Sequence, residues 1–187
     1  LRKNFFFADN TDGFGLLRDL HRQGFSEKSA SILIIGAGGA VRGILPMFLE
    51  NNPNKVIVVN RSEYNLQLLS KIFENDFFEY LNINDFNKKF SKYDHGQVGF
   101  ETFDLIINAT SASISDQRLE ITRKVFLKCP LVVDLYYSLN PTPFLNLALS
   151  SGAKKAIDGL GMLVEQAAES FYIWTNNRPR TKEVMNK

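Results

Sequence analysis

The chain has 187 residues, 44% of them hydrophobic and 22% charged, which suits one globular domain with a substantial core. A formal charge of +2 without a dense Lys/Arg run argues against nucleic acid or an acidic membrane surface as partner, and no metal is expected from two histidines, His21 and His95, far apart in sequence. One cysteine, Cys129, excludes an internal disulfide and offers no paired-cysteine metal spacing, so the expected partner is a small molecule. No apolar run approaches a membrane span and no charged-then-apolar leader is visible, which points to a cytoplasmic protein. The first residues, Leu1-Arg2-Lys3, lack Met and read as the continuation of something longer.

Phe5, Phe6 and Phe7 suggest an extended aromatic piece over residues 1–8. Asn10-Thr11-Asp12-Gly13 is a run of capping residues, followed by Phe14, Leu16, Leu17 and Leu20 at helical spacing up to Gly24; taken alone, Asp12 reads as a helix cap. An apolar run at 32–35 then meets a glycine-rich turn at Gly36, Gly38 and Gly39, after which Val41, Ile44, Leu45 and Phe48 keep helical spacing. Asn51-Asn52-Pro53-Asn54 turns the chain into a second apolar run, 56–59, and a helix over 63–73. Residues 75–99, rich in Asn, Asp and Lys, read as one short strand at 78–81 plus a surface loop, with no function assigned. A strand at 103–108 runs into the small hydroxyl loop Ala109-Thr110-Ser111-Ala112-Ser113, and a weaker helical stretch covers 118–128. A strand at 131–135, a helix at 142–150 beginning at Pro143 and a short strand at 155–158 follow; Gly159-Leu160-Gly161 opens a long helix over 162–175. Continuous β-branched runs indicate strands covered on both faces. The expected fold is therefore α/β, a doubly wound and mostly parallel sheet of Rossmann-like type with an additional C-terminal helix, whose ligand binds beyond the carboxyl ends of the strands.

The glycine turn brings backbone close to a bound anion where side chains would collide, and the helix start that follows offers free N–H groups and the positive end of its dipole. Alone, the same turn serves as an ordinary strand-to-helix connection. The second strand adds discrimination, because an acid at its end would hydrogen-bond a ribose 2′-hydroxyl, whereas a 2′-phosphate needs a cation and neutral donors. Here it ends Asn60-Arg61-Ser62, with no acid before Glu63. The Arg61 guanidinium can grip phosphate in a fork, so these residues favour NADP over NAD. The plainer reading makes Arg61 a solvated charge and Ser62 the cap of the next helix.

Six blocks in order, NTDG (10–13), GAGGA (36–40), NRS (60–62), IINATS (106–111), the stretch from Tyr137 to Pro143 ending in TP, and DGLGMLVEQAA (158–168), resemble the shikimate dehydrogenase family over nearly the whole chain. The resemblance covers the cofactor-binding half of that family and its last helix. It implies one NADP-binding domain over 1–187, with the N-terminal substrate domain absent from the chain. It further implies NADPH-dependent, reversible reduction of 3-dehydroshikimate to shikimate on the way to aromatic amino acids, which needs an acid/base group beside the substrate hydroxyl. On this resemblance Asp12 is the aspartate partner of a catalytic lysine in the missing domain, and Asp12, Tyr137 and Gln166 touch substrate. Cofactor contacts fall to Gly36, Ala37, Gly38, Gly39, Ala40, Asn60, Arg61 and Ser62, with Thr110, Ser111, Leu135 and Gly159 bordering the nicotinamide half. Without the resemblance, Gly159 reads as a turn, Leu135 as core, Tyr137 as a strand-end aromatic and Gln166 as a solvated helix residue.

Three departures stand out. Val41 occupies the third slot of the dinucleotide pattern, where Gly or Ala allows closer packing; Asn65 stands where many relatives carry a basic residue; and the loop reads TSAS (110–113) where TSSG is usual. Two alternatives stay open: a quinate/shikimate dehydrogenase using NAD or NADP, and a catalytically inactive nucleotide-binding module. A fragment lacking its lysine is expected to be nearly inactive alone, and a homodimer stays open. Glutamyl-tRNA reductase shares the glycine loop but accounts poorly for NTDG and DGLGMLVEQAA.

Overall fold

The computed structural model describes residues 8–92, 97, 101–112 and 119–185. Six strands, β1 (Ser31–Ile35), β2 (Lys55–Asn60), β3 (Phe78–Asn82), β4 (Leu105–Asn108), β5 (Leu131–Asp134) and β6 (Ala156–Ile157), form one sheet in the order β3-β2-β1-β4-β5-β6. Every pairing is parallel, so the expected mostly parallel sheet is parallel throughout. The chain winds outward from β1 in both directions, and the switch lies between β1 and β4.

Side-chain alternation explains the apolar runs. Ile32, Ile34, Val56, Val58, Leu105 and Ile107 face one side, where they meet Leu16 and Leu20 of α1 (Asp12–Arg22), Val41, Ile44, Leu45 and Phe48 of α2 (Gly39–Leu49), Leu66 and Leu69 of α3 (Glu63–Ile72), and Met162 of α6 (Leu160–Thr175). Leu33, Ile35, Ile57, Val59, Ile106 and Val132 face the other, against Phe86 and Phe90 of α4 (Ile83–Ser91), Val125 and Phe126 of a short 3₁₀ helix (Arg123–Phe126), and Phe144, Leu145 and Ala148 of α5 (Pro143–Ser150). Each large side chain fully withdrawn from water contributes roughly 1.5–3 kcal/mol. Val41 is wholly buried on the inner face of α2, so this departure from the glycine pattern serves as a core contact.

Two expectations need correction. The segment after β3 is not a surface loop over its described part: α4 occupies Ile83–Ser91, capped by Asn82, whose Oδ1 accepts from the Asn84 N–H at 2.9 Å. Ile83, Phe86 and Phe90 fall on one buried face, while Asn84, Asp85, Lys88 and Lys89 turn outward and give the segment its loop-like composition. The helical stretch over 118–128 reduces, within the described residues, to the one-turn 3₁₀ helix, because Ile121, Val125 and Phe126 reach the core without a longer helix. A further short helix, α7 (Lys182–Met185), follows α6. The aromatic piece over 1–7 and Ser113 lie outside the described residues.

Helix α1 lies against α2 and α6, and a side-chain carbon at Gly15 would come within 2.7 Å of Gln166. Asp19 is buried here and ion-paired to Arg22. Away from the carboxyl edge, Lys55 lies 2.7 Å from Glu79 and 3.5 Å from Glu101, while Lys89 meets the same two carboxylates at 3.6 and 3.4 Å. Burial opposes both charges, yet pairing prevails: Lys55 titrates above its ordinary value and Glu79 below its own. These charges tie neighbouring elements together and are a structural cluster. None of the helices among the described residues is long and apolar enough to cross a membrane.

Candidate functional site

The carboxyl ends of β1, β2 and β4 open into one cleft of about 440 Å³. Its walls include Gly36, Ala37 and Gly38 after β1, Asn60, Arg61 and Asn65 after β2, and Thr110 and Ser111 after β4. Ile83, Leu119 and Glu120, which sequence reading did not single out, complete it on the β3 side and beyond. Seven of the expected cofactor residues thus share one space. Gly39, Ala40 and Ser62 sit immediately beside it on the first turns of α2 and α3.

Gly36 has φ +116°, and a side-chain carbon there would lie 2.8 Å from the Ala109 carbonyl oxygen. Only glycine combines this backbone with so close an approach to the β4 loop. At Gly38 and Gly39 the situation reverses, since a side-chain carbon would meet nothing within 4 Å. Gly38 is the N-cap of α2 and no side chain caps that end. The first amides of α2 therefore carry no side-chain cap, next to the cleft that Gly36 to Gly38 line.

The β2–α3 turn is held by two asparagines. The Asn60 amide donates to the Ser62 carbonyl at 3.1 Å, and the Asn82 amide, from the register-matched end of β3, donates to the Arg61 carbonyl at 3.1 Å. Ser62 stands at the N-cap of α3, but its hydroxyl makes no capping bond. Arg61 is exposed, and among the described residues its guanidinium pairs with no carboxylate.

A buried polar network, missed from sequence, joins the ends of β4 and β5. Asn108 and Asp134 are register partners, both 0% exposed. Asn108 Nδ2 donates to Asp134 Oδ1 at 3.1 Å, Thr142 Oγ1 to Asp134 Oδ2 at 2.6 Å, and the Tyr136 N–H to Asp134 Oδ1 at 3.3 Å. On the other side Asn108 Oδ1 accepts from the Thr110 hydroxyl at 2.7 Å and its N–H at 3.2 Å. Thr142 also caps α5, accepting from the Leu145 N–H at 3.3 Å. One hydrogen-bonded unit thereby fixes the Thr110 loop, the Tyr136–Tyr137 loop and the start of α5. The visible signal is a polar residue ending each of two apolar runs, LII-Asn and LVV-Asp.

The remaining expected residues lie outside the cleft lining. Leu135 follows β5, and Gly159 is packed so closely on it that any side-chain carbon would run into the Leu135 carbonyl oxygen. Asp158 links the start of α6 to the same loop, accepting from the Leu160 N–H at 3.2 Å and the Ser138 N–H at 3.5 Å. Tyr137 is 51% exposed on this loop and stacks on Tyr136 at 6.2 Å between ring centroids. Asp12 is the first residue of α1, with its N–H donating to Asn10 Oδ1 at 2.7 Å; Thr11, not Asp12, holds the cap position. Among the described residues the Asp12 carboxylate accepts no hydrogen bond. Gln166 lies half-buried on α6 where Gly15 of α1 presses against it. No group of three or more metal-ligating side chains occurs among the described residues. Burial pushes the Cys129 thiol up to about 12, so it stays protonated and unreactive.

A parallel sheet in this strand order, with its cleft at the switch between β1 and β4, defines a Rossmann-type α/β domain. The family model for shikimate / quinate 5-dehydrogenase matches residues 19–135, and that for the shikimate 5′-dehydrogenase C-terminal domain matches residues 159–187. The chain belongs to the shikimate / quinate 5-dehydrogenase family. It is 42% identical over 182 residues to shikimate dehydrogenase (NADP(+)) of Marinobacter nauticus, covering 95% of this chain and 62% of that one. The corresponding Legionella pneumophila protein (strain Lens) is 43% identical over 189 residues, covering 100% of this chain and 64% of the relative. The chain thus spans less than two thirds of these relatives' length. Among solved structures, an Ael1 enzyme from Pseudomonas putida superposes with a TM-score of 0.84 at 36% identity, over 96% of this chain and 62% of that one. Shikimate 5-dehydrogenase of Thermus thermophilus, in complex with NADP(H) and shikimate, gives 0.72 at 28% identity over 92% and 59%.

Proposed function

We propose that this chain is the NADP-binding portion of a cytoplasmic shikimate dehydrogenase, which interconverts 3-dehydroshikimate and shikimate. The observation that carries this reading is the single cleft joining the glycine turn, the Asn60–Arg61 strand end and the Thr110–Ser111 loop at the switch point. The donor set fits the cofactor: uncapped amides at the start of α2, open faces at Gly38 and Gly39, and a guanidinium at Arg61 that pairs with no carboxylate among the described residues suit a pyrophosphate and a 2′-phosphate. When bound, NADP supplies the hydride chemistry. Gly36 to Ala40 hold the pyrophosphate, Arg61 with Asn60 and Ser62 holds the 2′-phosphate, and Thr110, Ser111, Leu135 and Gly159 border the nicotinamide half.

Asp12 orients the substrate hydroxyl and the lysine that moves its proton; that lysine belongs to the family's substrate domain, outside this chain. Tyr137 and Gln166 supply neutral hydrogen bonds to a polyhydroxylated ring. The division into a cofactor domain and a separate substrate domain is supported by the chain's spanning 62% and 64% of two relatives. A second reading, a quinate/shikimate dehydrogenase that also takes NAD, draws support from the neutral Asn65 beside Arg61 in the cleft.

The test is turnover with and without a substrate domain. The 187-residue chain alone shows negligible NADP-linked oxidation of shikimate, whereas the same chain fused behind the substrate domain of a relative shows clear activity that Asp12→Ala abolishes. Robust turnover by the chain alone, or an inert fusion that binds both ligands, overturns this reading.

A further inference from the structure

We infer that Asn82 is a positioning residue for cofactor selectivity, fixing the Arg61 turn to the adjacent start of α4. The inference rests on Arg61 reading the 2′-phosphate. Asn82 ends β3 beside Asn60 of β2, and its one amide makes two contacts of different kinds. Its Nδ2 donates to the Arg61 carbonyl at 3.1 Å, and its Oδ1 accepts from the Asn84 N–H at 2.9 Å, capping α4. Arg61 and Ile83, the first residue of α4, both line the cleft, each one residue past the paired strand ends Asn60 and Asn82. A single planar group therefore ties the backbone of the selective residue to the start of the neighbouring helix, which lines the same cleft.

The geometry separates these two duties. Capping α4 needs an acceptor oxygen, which Ser or Thr supplies equally well. Anchoring the Arg61 carbonyl needs a separate N–H donor as well, which the Asn82 amide supplies and the single hydroxyl of Ser or Thr, one atom shorter and kept at the cap, does not. An exposed arginine on an unanchored turn keeps its charge but loses the fixed direction that a forked phosphate contact requires. Nearby Asn60 holds the next carbonyl, that of Ser62, so Asn82 is the one side chain from another strand that grips the turn among the described residues.

The experiment measures NADP and NAD dissociation constants for the chain with Asn82→Ser, with Arg61→Ala and with both. Asn82→Ser weakens NADP about three- to tenfold, the worth of one neutral hydrogen bond, and leaves NAD within about twofold. On top of Arg61→Ala the same change alters neither cofactor by more than about twofold, because the two residues act as a unit. The thermal midpoint stays near that of the parent, since the cap is kept; Asn82→Thr repeats the test if Asn82→Ser lacks a cooperative transition. If Arg61→Ala shifts the NADP/NAD ratio but Asn82→Ser does not, the inference falls and the reading of Arg61 stands. Equal weakening of both cofactors by Asn82→Ser, or an undiminished effect in the Arg61→Ala background, also overturns it. If Arg61→Ala leaves the ratio unchanged, both fall together.

Discussion

Asp134→Ala destabilises the chain by about 3 kcal/mol or more, as read from the shift in a denaturant unfolding midpoint at unchanged slope. The Asp134 carboxylate is fully buried and accepts from Asn108 Nδ2, Thr142 Oγ1 and the Tyr136 N–H. Removing it strips three donors of their acceptor, and each buried group left without a partner costs roughly 1–3 kcal/mol. Asp134→Asn keeps the shape and one acceptor oxygen but turns an N–H₂ group toward a donor on one side, so it loses roughly half as much. The damage is also local to function. Thr110, Tyr136 and the start of α5 lose their common anchor, so the loops after β4 and β5 no longer hold a fixed relation. A change of less than about 0.5 kcal/mol in Asp134→Ala would contradict a stabilising role for the network.

Arg61→Ala weakens NADPH binding about 10- to 100-fold, the range for charge-assisted hydrogen bonds to a phosphate, and changes NADH binding little. Among the described residues Arg61 pairs with no carboxylate, so its charge is available to a ligand without breaking an existing contact. Asn65 beside it is neutral and cannot replace the lost charge. Arg61→Lys recovers part of the affinity, since a point charge remains while the planar fork is lost. Isothermal titration of the variants with both cofactors checks this. A loss shared equally by NADPH and NADH would place Arg61 on a part common to both and contradict its role in selectivity.

The elements around the glycine turn were legible because each signal is local. Ile32 to Ile35 are buried without interruption, Gly36 requires a left-handed backbone, and Val41, Ile44, Leu45 and Phe48 fall on one helix face. The sharing of one cleft by residues 36–38, 60–61 and 110–111 was legible as well, since a parallel sheet brings all its carboxyl ends to one edge. What failed did so for physical reasons. Helix α4 carries its apolar residues only at Ile83, Phe86 and Phe90, and the polar residues between them resemble a loop in composition. Around Ile121, Val125 and Phe126, helical spacing is met by one turn of 3₁₀ helix. The Asn108–Asp134–Thr142 network was out of reach because it depends on strand register and on a loop returning Thr142 to β5. Asn82 escaped for the same reason, its partner Arg61 lying 21 residues away in the turn after a neighbouring strand.

The most direct test of the central claim is a parallel titration of the purified chain with NADPH and NADH, followed by calorimetry or cofactor fluorescence. The account predicts saturable one-to-one binding of both, with NADPH clearly tighter. Equal affinities, or no saturable binding of NADPH, would contradict it.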